Sequence, residues 1–418
     1  MPSPSQSCNV PLLVLAVVLF AVSDTVRTPP PDASGSPGGV ALDESEPVRI
    51  GPVVPIGALY SGTFGPGLGA GVRVQNLGWE GSDVSATAFG ALYGYGAQLA
   101  LATGDPYGQP VYGRVWAEAS RATRRRYYGT GPFTAEGDRL DLDHRSATVE
   151  ARLGVYPFRT TALLVQPSVR LLVDRLDPLT PETRSGLDGL DPVSQEAVRT
   201  LEAETRLGVS VGVGVASDRL DVRAYPSSGT YTSLEARRFE ATDGTGLGFS
   251  RVAASLSGYL PVRRRTVVAA HAVGAVTRPD DGATLPFVYL PTLDSALLLA
   301  YSPDRFRGRD VLAFGVGLRA PVASVYGLFG VDAEVTAALG AAYDDVAQQF
   351  KPSVSFDPSP EPGDAAPLRP AASVALRFVD IENRSVFAGG RVGVSPDGVV
   401  LALVSVRADL RDLVPLFR

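Results

Sequence analysis

The sequence predicts an all-β chain, a transmembrane antiparallel β-barrel of 16 strands with a short helix in one long loop. Three observations predict it: strict two-residue alternation, long strands whose polar face carries charges, and long connections that share one parity. The 418 residues include 45 Gly and 34 Pro, yet 45% are hydrophobic, too many for a disordered chain. The single Cys, at position 8, rules out a disulfide framework, and two His, His144 and His271, leave no basis for a His-rich metal site. No metal and no cofactor are expected. One Lys, Lys351, stands among 38 basic residues, and the net charge of −6 argues against a nucleic-acid partner.

The order along the chain begins with an address. Residues 11–22, PLLVLAVVLFAV, form 12 apolar residues. A membrane helix needs about 20, so the run fits the apolar region of a secretory signal. Ala21-Val22-Ser23 is an acceptable cleavage site, although the first ten residues carry no Lys or Arg. Residues 1–23 are therefore read as a signal peptide and 24–50, with TPPPDASGSPGG, as a flexible linker. Residues 51–418 are the barrel.

Alternation fills that body. Over 146–156, Ala147, Val149, Ala151, Leu153 and Val155 occupy one face, with Glu150 and Arg152 on the other. Over 206–216, Leu207, Val209, Val211, Val213 and Val215 alternate with Gly and Ser. Over 311–320 and 328–335 the pattern repeats with Leu312, Phe314, Val316 and Leu318, then Phe329, Val331, Ala333 and Val335. Period two means strands with unlike faces. Charges such as Arg114, Glu118, Arg170 and Arg319 between small residues suit a hydrated lumen.

The strands fall near 52–60, 67–77, 83–94, 95–104, 110–125, 145–157, 161–174, 206–217, 228–241, 246–260, 264–276, 311–320, 326–339, 370–379, 385–395 and 399–407. That number is even, as single-chain bacterial barrels require. Long connections at 126–144, 175–205, 277–310 and 340–369 all follow odd strands, as expected when one end of a barrel carries the long loops. Within the second, Asp191-Pro192 followed by VSQEAVRTLEAE reads as a capped helix.

Recognisable chemistry is sparse, and no enzyme is expected. Gly65-Pro66-Gly67-Leu68-Gly69-Ala70 mimics a dinucleotide fingerprint but opens a strand, not a helix. Asp143-His144 is a sequence neighbour pair that forms no relay by itself. His271 faces either the lumen or the wall. The cluster Arg124-Arg125-Arg126-Tyr127-Tyr128 reads as an interfacial anchor.

Several segments resemble the BamA/TamA-type bacterial surface antigen family. They are GLGAGVRVQNL from Gly67, RRYYGTG from Arg125, Asp221-Val222-Arg223 with Pro226 and Gly229, LPFVYLPTL from Leu285, Arg305-Phe306-Arg307, Gly317-Leu318-Arg319-Ala320-Pro321, Phe329-Gly330-Val331-Asp332-Ala333, and Ser395-Pro396-Asp397-Gly398. Their order is kept over about residues 50–410. The resemblance implies an outer-membrane location and help with inserting or translocating proteins or lipids. Implied partners are outer-membrane lipid (lipopolysaccharide or phospholipid), client outer-membrane proteins, or a periplasmic protein. It also implies an inward-folded sixth loop whose Arg-Gly-aromatic tip pairs with a strand Asp. Here the tip falls at Leu298-Leu299-Ala300-Tyr301, with Leu299 and Ala300 replacing Arg and Gly. Asp332 survives as the implied partner, so Arg305 or Arg307 is left to hold the arm. The expected loop-arm and lumen contacts are therefore Tyr301, Arg305, Arg307, Arg319 and Asp332. The linker is too short for the family's POTRA domains. Rival readings are a passive pore or structural barrel, a lipase-like barrel, and a secreted β-sandwich.

Overall fold

The computed structural model describes residues 49–53, 59–61 and 64–406, except 78–81, 104–110, 157–162, 203, 223–224, 264, 294–296, 299, 303, 326–328, 359–365 and 382–384. The expected signal peptide and nearly all of the linker lie outside the described residues.

Two short segments, Arg49–Val53 and Leu59–Ser61, both pair with Gly65–Gln75 and together form β1, the latter being β2. Then follow β3 (Asp83–Ala91), β4 (Gly94–Thr103), β5 (Val111–Tyr127), β6 (Leu140–Val155), β7 (Leu163–Leu176) and β8 (Thr205–Asp218). After these come β9 (Gly229–Ala241), β10 (Gly248–Arg263), β11 (Thr266–Pro279), β12 (Asp310–Val325), β13 (Phe329–Tyr343), β14 (Ala366–Asp380), β15 (Ser385–Ser395) and β16 (Gly398–Val406). From β2 to β16 each strand is antiparallel to the next. β16 neighbours Leu59–Ser61, where the sheet meets its own start. Counted this way, the described residues carry the expected 16 strands, plus a short parallel piece, Phe350–Val354, beside β14.

The two faces are the reverse of a water-soluble sheet. Leu207, Val211 and Val213 on β8 are exposed, and so are Val316 and Leu318 on β12 and Val374 and Leu376 on β14. Between them Ser210, Glu150, Ser168, Thr336 and Ser373 are buried. Each exposed aliphatic side chain stands to gain about 1.5–3 kcal/mol by leaving water, so a belt of them calls for a lipid cover. Among the described residues no helix is long and apolar enough to cross a membrane.

The described parts of the connections 128–139, 177–204, 280–309 and 344–365 follow β5, β7, β11 and β13, at one end of the sheet. The second holds two helices. α2 (Pro192–Arg199) is the one expected; Asp191 caps it by accepting from the Val193 and Ser194 backbone N–H at 3.0 Å. α1 (Pro181–Asp188) was not expected, because only Leu187 is buried and no apolar period marks it. Leu187, Ala197, Val198 and Leu201 close over Tyr127, Leu142 and Phe287 as a cap on this end.

The Gly-rich run is β2, a strand, as read. A Cβ at Gly71 would lie 2.4 Å from the Thr87 methyl, so only Gly lets β2 and β3 approach here. The interfacial reading of Arg124–Tyr128 is corrected. A bulge between Ala122 and Arg125 shifts the register, and Tyr127 turns inward. There it is fully buried, packs on Phe287 at 5.1 Å and donates to the Ser194 carbonyl at 2.9 Å.

Candidate functional site

The connection 280–309 folds into the lumen and is the candidate site. A short 3-10 turn, Phe287–Tyr289, drops it inside, with Phe287 buried beneath the helical cap and Tyr289 stacked near Phe239 and Phe249. From there the chain crosses to the wall built by β12–β15.

The expected tip sits on that wall. Leu298, Ala300 and Tyr301 are buried with Leu293, Phe306, Ala313, Ala338 and Ala371; Leu299 lies outside the described residues. No charge seats it. A Cβ at Gly340 on β13 would fall 2.8 Å from Leu298 Cδ1, and one at Gly393 on β15 would fall 2.7 Å from Ala300 Cα. Small residues on both sides thus replace the Arg–Asp pair. Ser395 Oγ donates to the Ala300 carbonyl at 2.9 Å, and Tyr301 Oη to the Pro370 carbonyl at 2.8 Å. The Tyr301 ring meets Phe306 edge-on at 4.7 Å.

Burial pushes the Tyr301 phenol up, from 10.0 to about 12, against the lowering effect of Arg369. A raised folded value means its hydrogen bond contributes fully below pH 10.0 and is lost as pH rises through about 12. Alkaline titration of the heat-dependent gel shift is therefore expected to destabilise the native chain more than Tyr301→Phe over that window. Equal loss in both would show that Tyr301 does not sense pH.

Two arginines anchor the return of the loop. Arg305 is almost fully buried; its Nε donates to Asp397 at 3.2 Å in the β15–β16 turn, and its Nη1 to Thr134. Glu136 lies 3.7 Å from the same guanidinium, and the Tyr128 and Phe306 rings flank it, each centroid 5.5 Å away. Arg307 donates to the Phe287 carbonyl and, at 2.7 Å, to Asp304. Arg305 thus ties the loop to Asp397 and Thr134 outside it, while the Arg307 bonds join parts of the loop to each other, and Asp332 is bonded elsewhere.

Asp332 belongs to a different group, at the short-turn end. Tyr225 Oη donates to its Oδ2 at 2.7 Å and Arg265 Nη2 to its Oδ1 at 2.6 Å. The expectation that Asp332 holds the arm is corrected. β13 runs the length of the barrel, and Asp332 lies near its start while the loop tip packs beside Gly340, eight residues on. Arg319 lies with Asp332. It donates to the Pro226 carbonyl, and its guanidinium stacks 3.7 Å above the Tyr225 ring. Asp221 shapes the turn that delivers Tyr225, accepting from the Ser227 and Ser228 N–H at 2.8 and 3.1 Å. Arg265 sits at φ 61° in the β10–β11 turn, and Gly330 leaves room for its guanidinium. Burial pushes the Tyr225 phenol up, so it stays a donor.

Asp332→Ala is expected to lower stability by about 2–3 kcal/mol, since it strands a buried phenol and a partly exposed guanidinium. A melting point in detergent reads this. The loop's protease resistance should stay native, which an arm anchor would not allow.

Each His has hydrogen-bond partners on neighbouring strands. His271 faces inward, takes Ser257 Oγ at 2.9 Å and meets Tyr259 edge-on. Arg125 can only donate, at 3.0 Å, to His144 Nδ1, so Nε2–H donates to Asp174 at 3.1 Å. Asp143 points the other way, to Arg121 at 2.7 Å. Among the described residues no group of His, Cys, Asp and Glu could hold a metal.

Sequence reasoning missed Tyr225, Arg265, Thr134 and Gly393. Gly393 had a signal, a Gly in the core of an alternating strand. Arg265 had none.

No protein-family model matches the chain, and no curated protein matches it. Solved structures do. The chain is similar to BamA from Haemophilus ducreyi lacking POTRA domains 1-3, at 14% identity and a TM-score of 0.55, over 86% of this chain and 68% of that one. It is also similar to CdiB from Escherichia coli, at 12% identity and a TM-score of 0.50, over 88% of this chain and 65% of that one. The chain thus spans about two thirds of the length of each. At such identities the likeness is one of fold, the β-barrel.

Proposed function

We propose that this chain is an outer-membrane barrel that assists the insertion or translocation of proteins or lipids, using the junction between its last and first strands. One observation carries the reading. Among the described residues β16 neighbours Leu59–Ser61 of β1, so the last strand of the chain meets the first. If that junction parts, the two strand edges it frees offer backbone donors and acceptors to an incoming strand, which binds by edge addition. The outward apolar belt supports the membrane location. BamA and CdiB are solved barrels of similar fold, which makes a translocating barrel a coherent reading.

The test is a lock. A cysteine in Leu59–Ser61 and another in Gly398–Val406, oxidised to a disulfide, are expected to abolish the protein's support of outer-membrane protein and lipid levels in a depleted strain; reduction restores it. Full support by a verified locked form would sink the junction mechanism. Normal outer-membrane content after depletion would sink the function.

The second reading is a passive pore. The apolar seat of Ala300 on Gly393, with no Arg-Gly tip, favours it, because the loop then serves as a fixed plug. Single-channel conductance without any effect of depletion would select it.

A further inference from the structure

The connection 344–365 does more than join β13 to β14. On the outer face of β14, Val374 and Leu376 are exposed, whereas Ala366 and Leu368, which alternation puts on the same face, are buried. Ala341 and Tyr343 at the end of β13 are buried with them, and Val346 packs against the group. The described part of the connection supplies the cover. Phe350–Val354 runs parallel to β14, with Phe350 opposite Ala366 and Val354 opposite Leu368. The Ser355 N–H donates to the Leu368 carbonyl at 3.0 Å, and the Phe350 ring meets that of Tyr343 edge-on at 6.3 Å.

A cover turned to water would present polar side chains. This one presents Phe350, Val354 and Phe356, all exposed. Paired residues of parallel strands share a face, so Phe350 and Val354 point the way Ala366 and Leu368 do, outward. Phe356 is 74% exposed, the most of any large apolar side chain among the described residues. β14 fixes the height of this ledge. Phe378 is exposed on the outer face near the other end of the strand. A span of about 9–11 residues crosses a bilayer core, and counted from Phe378 it ends at Leu368–Pro370. Val354 and Ser355 meet β14 at Leu368. The aromatic row therefore stands where the apolar belt gives out, the depth at which barrels carry a girdle of aromatic rings.

We propose that this ledge is a lipid-binding surface. Phe350, Val354 and Phe356 seat between acyl chains and headgroups of the bilayer, on the side of the long connections, and continue the lipid contact of the belt. The inference rests on the membrane location and not on strand insertion. The test places a nitroxide at Phe356→Cys in the full chain, with the one native thiol removed by Cys8→Ser. The protein sits in nanodiscs of phosphatidylethanolamine and phosphatidylglycerol, its fold checked by the heat-dependent gel shift. Val374→Cys in the belt and Val193→Cys, exposed on α2, give the lipid and water references. The label at 356 is expected to meet a water-soluble nickel chelate severalfold less than the label at 193, while oxygen reaches it as it reaches 374. Nickel contact equal to that at 193 overturns the proposal, since the ledge then faces water. Protection from both nickel and oxygen overturns it too, since protein then covers the ring. A label at 374 open to nickel would overturn the membrane location itself, so the two failures are distinct. Phe350→Cys carries the same test with the same outcomes where Phe356→Cys does not fold.

Discussion

Asp397→Ala is expected to lower stability by about 3–5 kcal/mol, the cost of leaving a buried guanidinium without its carboxylate. The Asp397 side chain is 6% exposed and that of Arg305 is 0% exposed. Thr134, the flanking rings and Glu136 at 3.7 Å remain to Arg305, but none replaces the 3.2 Å contact to Asp397. Arg369 also loses a charge contact, at 3.6 Å, too long for a hydrogen bond. Asp397→Asn keeps the shape and removes the charge, so about half the loss should persist. The temperature at which the folded gel band disappears measures the effect, and protease access to 291–308 localises it. A native melting temperature in Asp397→Ala would mean that Thr134, Glu136 and the flanking rings suffice to hold Arg305.

Gly393→Val should unseat the loop tip. The Cβ it adds would meet Ala300 Cα at 2.7 Å and the Ala300 backbone N at 2.8 Å. These are backbone atoms and cannot swing aside. Overpacking of this kind costs about 1–3 kcal/mol when the neighbours can shift. Here the tip can leave instead, taking Tyr301 from the Pro370 carbonyl and Ala300 from Ser395. The expected result is a folded barrel with a cleavable loop and raised conductance. A protected loop with a merely lowered melting point would show that β15 moves and the tip does not.

Much of the barrel could be read from the sequence because lipid and lumen impose opposite demands on neighbouring residues. Val211 and Ser210 sit side by side in the chain and on opposite faces of β8. The parity of the long connections follows from the same closed antiparallel order. Polar pairings inside were not readable, since they join strands far apart in sequence. Asp332 meets Tyr225 across 107 residues, and Thr134 meets Arg305 across 171. Resemblance supplied a partner for Asp332 where geometry supplied another, because the tip that would have reached it carries Leu299 and Ala300. Tyr127 was misplaced for a local reason: one bulge reverses every side chain beyond it.

The neighbour-by-neighbour pairing of the sheet also sets a schedule. Each strand from β2 to β16 finds its predecessor across a single connection, so the growing sheet adds hairpins at low contact order. The last contact alone joins the two ends of the chain. The same end of the chain also holds the loop between β11 and β12, since Ala300 rests on Gly393 and Arg305 reaches Asp397 just before β16 begins. The entropy of closing so long a loop grows only by about 0.6 kcal/mol per doubling of length. Sequence distance, then, and not entropic cost, distinguishes this joint: the strands that shut the ring are also the ones that grip the loop inside it.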